Sequence, residues 1–209
     1  MPCNHKFIED LNLENLDFQP ATLIVGTFNP AWPANNQAQW FYGRTQNNYF
    51  WDILPRLYSE PSLLNADPDE WKKFCKRHKI AVTDLISCIG DANEPEHEAV
   101  LGGYSDDKIA NDFHEHTFIE IVSLLENHQS IKNVYLTRGN APTFWNRIWR
   151  PVRQYCTIHE LHENTLLTPS GYAFYQQGKY NNANPNHPIP NLADFILSRW
   201  EEKWHQINH

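Results

Sequence analysis

The sequence predicts an α/β protein, a three-layer α/β/α sandwich around a central four-stranded parallel sheet. Two observations carry this reading. Short apolar, β-branched runs such as "TLIVGTF" (22–28) suit strands buried on both faces. Segments with helical spacing alternate with them, and that order implies parallel strands joined by right-handed crossovers, with helices on both faces. At 209 residues, 41% hydrophobic and 20% charged, the chain is long enough for a proper core. It shows no internal repeat, linker or composition break, so residues 1–209 read as one domain.

Taken in order, 22–28 is the first strand. Asn47 or Asn48 caps "NYFWDILPRLY", which places Tyr49, Phe50, Ile53, Leu54 and Leu57 on one stripe until Pro55 disturbs it. In 67–79, Asp67 is the cap, Pro68 the first helical residue and Glu70 the third after the cap. It feeds a second strand over 80–87. The acidic, glycine-containing stretch 88–108 reads as a surface excursion, and 111–128 as a helix carrying Phe118, Ile121, Leu124 and Leu125. A third strand is expected over 131–139, then a helix in "APTFWNRIWRPV" (141–152). The fourth strand and a loop fall within 156–172. The Asn/Pro-rich run 180–191 precedes a last helix over 192–204.

Composition removes several function classes. Cys3, Cys75, Cys88 and Cys156 are scattered without a Cys-x-x-Cys, so no zinc ribbon or iron–sulfur spacing exists. "HEH" (114–116) and "HELH" (159–162) are not the His-Glu-x-x-His pattern, and neither a metal nor another cofactor is expected. No apolar run approaches the ~20 residues of a membrane span. The opening "MPCNHKFIEDLNLENLD" lacks a secretory pattern, so the expectation is a cytoplasmic monomer with reduced cysteines. The net charge of −8 argues against a general DNA coater, because polyanion attraction supplies most non-specific affinity.

In doubly wound sheets, ligands sit at the carboxyl ends of the strands. Residues 26–30, 84–88, 137–140 and 167–171 should therefore converge, roofed by the aromatic and amide-rich loop after the first strand.

Those residues carry a resemblance. The chain resembles the uracil-DNA glycosylase superfamily, and within it the branch of mismatch-specific and hypoxanthine (deoxyinosine) DNA glycosylases. "VGTFNP" (25–30) is similar to their Gly-x-Asn-Pro segment, and "FYGRTQNNYFW" (41–51) to their Tyr-Tyr-Gly-His-Pro-x-Asn-x-Phe-Trp. "HKIAVTDLISC" (78–88) and "IKNVYLTRGNAPTFW" (131–145) look like their second and third strands, and "LLTPSGYA" (166–173) occupies their Ser-Pro-rich loop. The resemblance implies a glycosylase-like hydrolase acting on DNA with a modified base, single- or double-stranded. By position it makes Asn48 catalytic, with Asn29, one residue late in its motif, beside it. Gly26, Thr27, Phe28, Tyr42 and Asp84 would hold the base. Arg44, Arg138, Thr168, Ser170 and Gly171 would meet the nucleic acid.

The residue types suit the chemistry. Glycosidic cleavage passes through an oxocarbenium-like sugar, so strand-end amides near Thr27 and Phe28 can stabilise the departing base while an asparagine positions water. A base in a duplex must be flipped out, and stacking on Tyr42 offsets part of that cost. Other readings stay open: Asn48 as a simple cap, Tyr42 as a loop anchor, Asp84 as a turn cap, and Arg44 and Arg138 as ion-paired. So do a non-catalytic base- or nucleotide-binding module and a hydrolase of a free nucleoside, nucleotide or RNA base.

Overall fold

The structure, a computed structural model, describes residues 1–32, 36–44, 47–138 and 143–205. In chain order the strands are β1 (Cys3–Asn4), β2 (Thr22–Gly26), β3 (Ile80–Asp84), β4 (Ile86–Ile89), β5 (His116–Phe118), β6 (Asn133–Leu136) and β7 (His162–Thr165). The helices between and after them are α1 (Phe50–Leu57), α2 (Pro68–Arg77), α3 (Glu98–Gly102), α4 (Asp106–Asp112), α5 (Ile121–Asn127), α6 (Thr143–Ile158), α7 (Phe174–Ala183) and α8 (Leu192–Glu201).

The central sheet has the order β3-β2-β6-β7, and every pairing in it is parallel. Alternation along its strands fills two cores. Leu23, Val25, Ala81, Val134 and Leu136 face one cluster with Ile121, Leu124, Trp145 and Trp149 of α5 and α6. Ile24, Ile80, Val82 and Tyr135 face the other, with α1, α2 and α8 supplying Phe50, Trp51, Trp71, Phe74 and Trp200. Each such side chain contributes about 1.5–3 kcal/mol on full burial, which requires helices on both faces of the sheet. The expected three-layer α/β/α sandwich is therefore observed.

A second, three-stranded sheet, β1-β4-β5, is antiparallel and was not expected. The predicted strand 80–87 divides: after Asp84 the chain leaves the parallel sheet, and Ile86–Ile89 pairs with β1 and β5 instead. The expected helix over 111–128 is also corrected. Phe118 pairs with Ile86 as a strand residue, and only Ile121, Leu124 and Leu125 are helical core residues. The stretch 88–108 is not a bare excursion, because Leu101 on α3 and Ile109 on α4 are buried and dock this segment. Part of the Asn/Pro-rich run is helical in α7, where the buried Gln177 donates to the Ile189 and Pro190 carbonyls.

Helix α1 passes through Pro55 rather than stopping there. A helical proline leaves the carbonyl four residues earlier without its partner. Here that carbonyl, on Trp51, accepts the Leu63 amide at 2.8 Å. Helix α2 begins as its sequence signals dictate, with Asp67 Oδ1 accepting the Glu70 amide at 3.0 Å. Residues 139 and 140, expected at the strand ends, and 141 and 142, expected to open a helix, lie outside the described residues; α6 runs on from Thr143 through Pro151 to Ile158.

Candidate functional site

The carboxyl ends of β2, β3 and β6 open into a cleft of about 1210 Å³. A smaller hollow of about 390 Å³ lies away from the strand ends, beside Trp40 and α2. Two lysines at that hollow, Lys73 and Lys76, are already paired to Glu70 and Asp17. The larger cleft takes in all of the sequence-expected site residues except Gly26, which lies beneath it.

Register builds the floor. Gly26 pairs with Asp84 across β2 and β3, so the carboxylate rises beside a residue without a side chain. A Cβ on Gly26 would overlap Asp84 Oδ1 and lie 2.6 Å from the Tyr42 hydroxyl. Asp84 Oδ2 is 2.7 Å from His5 Nε2, and both residues are buried. His5 Nδ1 accepts the Phe7 amide at 3.0 Å, which leaves the proton on Nε2 to be donated to Asp84. The imidazole is thus neutral. It is held by β1, by its amide on the Ser87 carbonyl and by contacts with the Phe7, Phe28 and Phe41 rings.

Tyr42 adopts φ 55°, a left-handed conformation uncommon for an aromatic residue. Its hydroxyl lies 2.8 Å from Thr137 Oγ1, and its ring stacks on Phe50 with centroids 3.9 Å apart and planes 7° from parallel. Burial, with the Asp84 and Asp106 carboxylates, pushes the phenol well above its ordinary pKa, so it stays a neutral donor. Beside it, no hydrogen bond among the described residues takes the Thr27 or Phe28 backbone N–H.

Asn48 is 7% exposed and lines the cleft. Its Oδ1 accepts the Phe50 amide at 3.0 Å just ahead of α1, whose N-cap is Tyr49 with no side-chain cap bond, so the expected Asn47 or Asn48 cap is not formed. No hydrogen bond among the described residues uses the Asn48 Nδ2. The segment is pinned to the loop after β7. Asn48 forms a bridge with Ser170, the Tyr49 amide meets the Pro169 carbonyl at 2.6 Å, and the Gly171 amide meets the Asn47 carbonyl at 3.0 Å. Thr168 Oγ1 and Ser170 Oγ are 3.0 Å apart. The two motifs are one construction. Asn29 also lines the cleft, but its Oδ1 accepts the Asn36 amide at 2.9 Å.

The α3–α4 segment supplies what sequence reasoning missed at the mouth. Asp106 Oδ1 accepts the Thr27 hydroxyl at 2.6 Å, and its other oxygen pairs with Arg138 Nη1. Arg138 Nη2 reaches Asp107 at 2.6 Å, so this arginine is ion-paired twice. Burial lifts the Asp106 carboxyl above the usual range, Asp84 adds to the lift, and Arg138 and Thr27 offset only part of it. Arg44 forms no ion pair among the described residues; its guanidinium lies 3.4 Å over the Tyr104 ring, and burial lowers its pKa. His5 was missed for the same reason as Asp106: pairing across 79 residues leaves no local pattern.

Beyond Gly171, the rim carries Tyr172, Phe174 and Tyr175 at 60%, 62% and 73% exposure. Unlike the other large rings of the protein, these three stand in solvent beside the cleft.

No protein-family model and no curated protein matches the chain. Among solved structures, it is similar to the solution NMR structure of a candidate uracil DNA glycosylase from Methanosarcina acetivorans. The identity is 15% and the TM-score 0.52, covering 91% of this chain and 94% of that one. The likeness extends over nearly the full length of both and establishes a shared architecture: this chain has a uracil-DNA-glycosylase-like α/β/α fold.

Proposed function

We propose that the protein is a monofunctional N-glycosyl hydrolase that excises a deaminated or damaged base flipped out of DNA, with water as nucleophile. The observation that carries this reading is the convergence of Tyr42, backed by Phe50, with the open amides of Thr27 and Phe28 and with Asn48 in one cleft. A flat ring placed on Tyr42 would meet donors and the Asp84 acceptor at its edge. The amide of Asn48 would orient water toward the sugar. The fold shared with a candidate uracil DNA glycosylase supports the same reading, and the motif resemblance of 41–51 supports the hypoxanthine and mismatch-specific branch.

The exposed aromatic rim suits the unstacked bases that flank an extruded nucleotide, and stacking tolerates any sequence. Arg138 is held by Asp106 and Asp107, so a phosphate would have to displace a carboxylate to reach it.

One observation favours the second reading, a non-catalytic base-binding module. Asn48 Oδ1 is held by the Phe50 amide in a local turn just ahead of α1, a structural role that needs no catalysis. An abasic-site assay separates the two. Oligonucleotides carrying one uracil, hypoxanthine, xanthine or oxidised pyrimidine are incubated with the protein and then treated with alkali. Strand breaks that disappear with Asn48→Ala support the hydrolase; retained binding without breaks supports the module.

A further inference from the structure

The floor of the cleft holds a carboxylate that forms no ion pair with a lysine or arginine among the described residues, although Arg44, stacked on Tyr104, is near enough to feel its charge. Asp84 Oδ2 takes its hydrogen bond from an imidazole that is neutral, because His5 Nδ1 is already accepting the Phe7 amide. Asp84 Oδ1 has no hydrogen bond among the described residues, although the residue is only 5% exposed, and it lines the cleft next to the Tyr42 hydroxyl. The cleft's charged side chains among the described residues are Arg44 and Arg138 against Asp84, Asp106 and Asp107, two cations and three carboxylates. Arg138 is spent on Asp106 and Asp107.

Such a floor is wrong for a base that departs as an anion. At about 4 Å and an effective dielectric constant of about 20, a charge pair changes a rate by a factor on the order of a thousand. The sign is repulsive for an anionic leaving group and attractive for a cationic one. Above the floor, Tyr42 stacked on Phe50 presents the electron-rich face that attracts a flat cation.

Building on the glycosylase reading, we propose that the cleft selects a purine that is cationic when its glycosidic bond breaks, either N-alkylated or protonated on N7, with Asp84 facing the charged ring and Tyr42 stacked on it. In the step, the C1′–N9 bond breaks and its electron pair passes to the purine, cancelling the positive charge, so the base leaves neutral. The oxygen of water bonds to C1′ and releases one proton to solvent. For the N7-protonated substrate, the proton taken from solvent beforehand departs with the base.

The test measures base release from oligonucleotides carrying 7-methylguanine, hypoxanthine, 7-deazahypoxanthine or uracil, with wild type and Asp84→Asn. Asparagine can still accept the His5 proton but lacks the charge. Wild type is expected to release 7-methylguanine and hypoxanthine at least 100-fold faster than uracil or the deaza analogue. Asp84→Asn is expected to lose about 100-fold on both purines and to gain on uracil. Uracil released as fast as the purines, or purine release unchanged in Asp84→Asn, overturns the proposal while leaving the glycosylase reading intact. If no base is released, an NMR titration of wild type with 7-methylguanosine and guanosine decides. A tenfold preference for the cation, lost in Asp84→Asn, supports charge selection without hydrolysis, and equal affinities overturn it.

Discussion

His5 Nε2 donates to Asp84 Oδ2 across 2.7 Å, joining the residue immediately after β1 to the last residue of β3. The bond fixes where the carboxylate stands and leaves Oδ1 for a ligand. His5→Phe keeps the aromatic packing but leaves a buried carboxylate without its donor. Loss of such a bond to a charged group costs about 3 kcal/mol. Urea denaturation is expected to show that loss, and His5→Gln, which can still donate, should recover at least half of it. Equal stability of all three proteins would mean the pair carries no structural weight.

Gly26→Ala should damage the site more than the fold. The new methyl group meets Asp84 Oδ1 and the Tyr42 hydroxyl at once, and both belong to the cleft floor. Overpacking of this kind costs about 1–3 kcal/mol. Base release is expected to fall at least 100-fold while the variant stays folded at 25 °C by circular dichroism. Undiminished release would show that Asp84 and Tyr42 need not stand where they do.

The aromatic rim makes a prediction about affinity alone. Tyr172, Phe174 and Tyr175 are exposed, so replacing all three by serine should leave thermal stability within a few degrees. Stacking is worth about 1–3 kcal/mol per base. Fluorescence anisotropy with a single-stranded oligonucleotide should therefore show at least tenfold weaker binding. Unchanged affinity would remove the rim from the nucleic-acid surface.

Alkaline pH should weaken the fold through its buried phenols. Burial pushes the Tyr135 hydroxyl up to about 12, and it accepts the His205 amide at 2.7 Å. The unfolded chain loses this proton near pH 10 and the folded one only near 12. The raised value therefore contributes stability that is complete below about pH 10 and lost as pH rises to about 12, about 3 kcal/mol for this group. Tyr42 and Tyr58 shift in the same direction. Urea midpoints measured from pH 8 to 11.5 should fall above pH 10, and a flat profile would contradict the burial of these groups.

The parallel sheet was legible where its strands are wholly buried, in β2 "TLIVG" and β3 "IAVTD", and least so in β7 "HENT", which is polar and only partly buried. The convergence of Thr27, Asp84 and Thr137 followed from topology alone, since strand ends in such a sheet share one edge. What escaped depends on pairing distant in sequence. β1 is two residues long and has no pattern of its own, so His5 could not be foreseen. Asp106 and Asp107 looked like solvated charges until Leu101 and Ile109 were seen to dock their segment against the cleft. Phe118 fell on a helical spacing by chance, and its ladder with Ile86 won.

Hydrolysis is distinguished from recognition most directly by counting products. Oligonucleotides with one modified purine are incubated with excess protein, and free base is measured by chromatography beside alkali-labile sites. One free base is expected for each abasic site with wild type, and neither with Asn48→Ala. Tight binding that yields no free base from any modified purine or pyrimidine would contradict it and leave a protein that reads bases without releasing them.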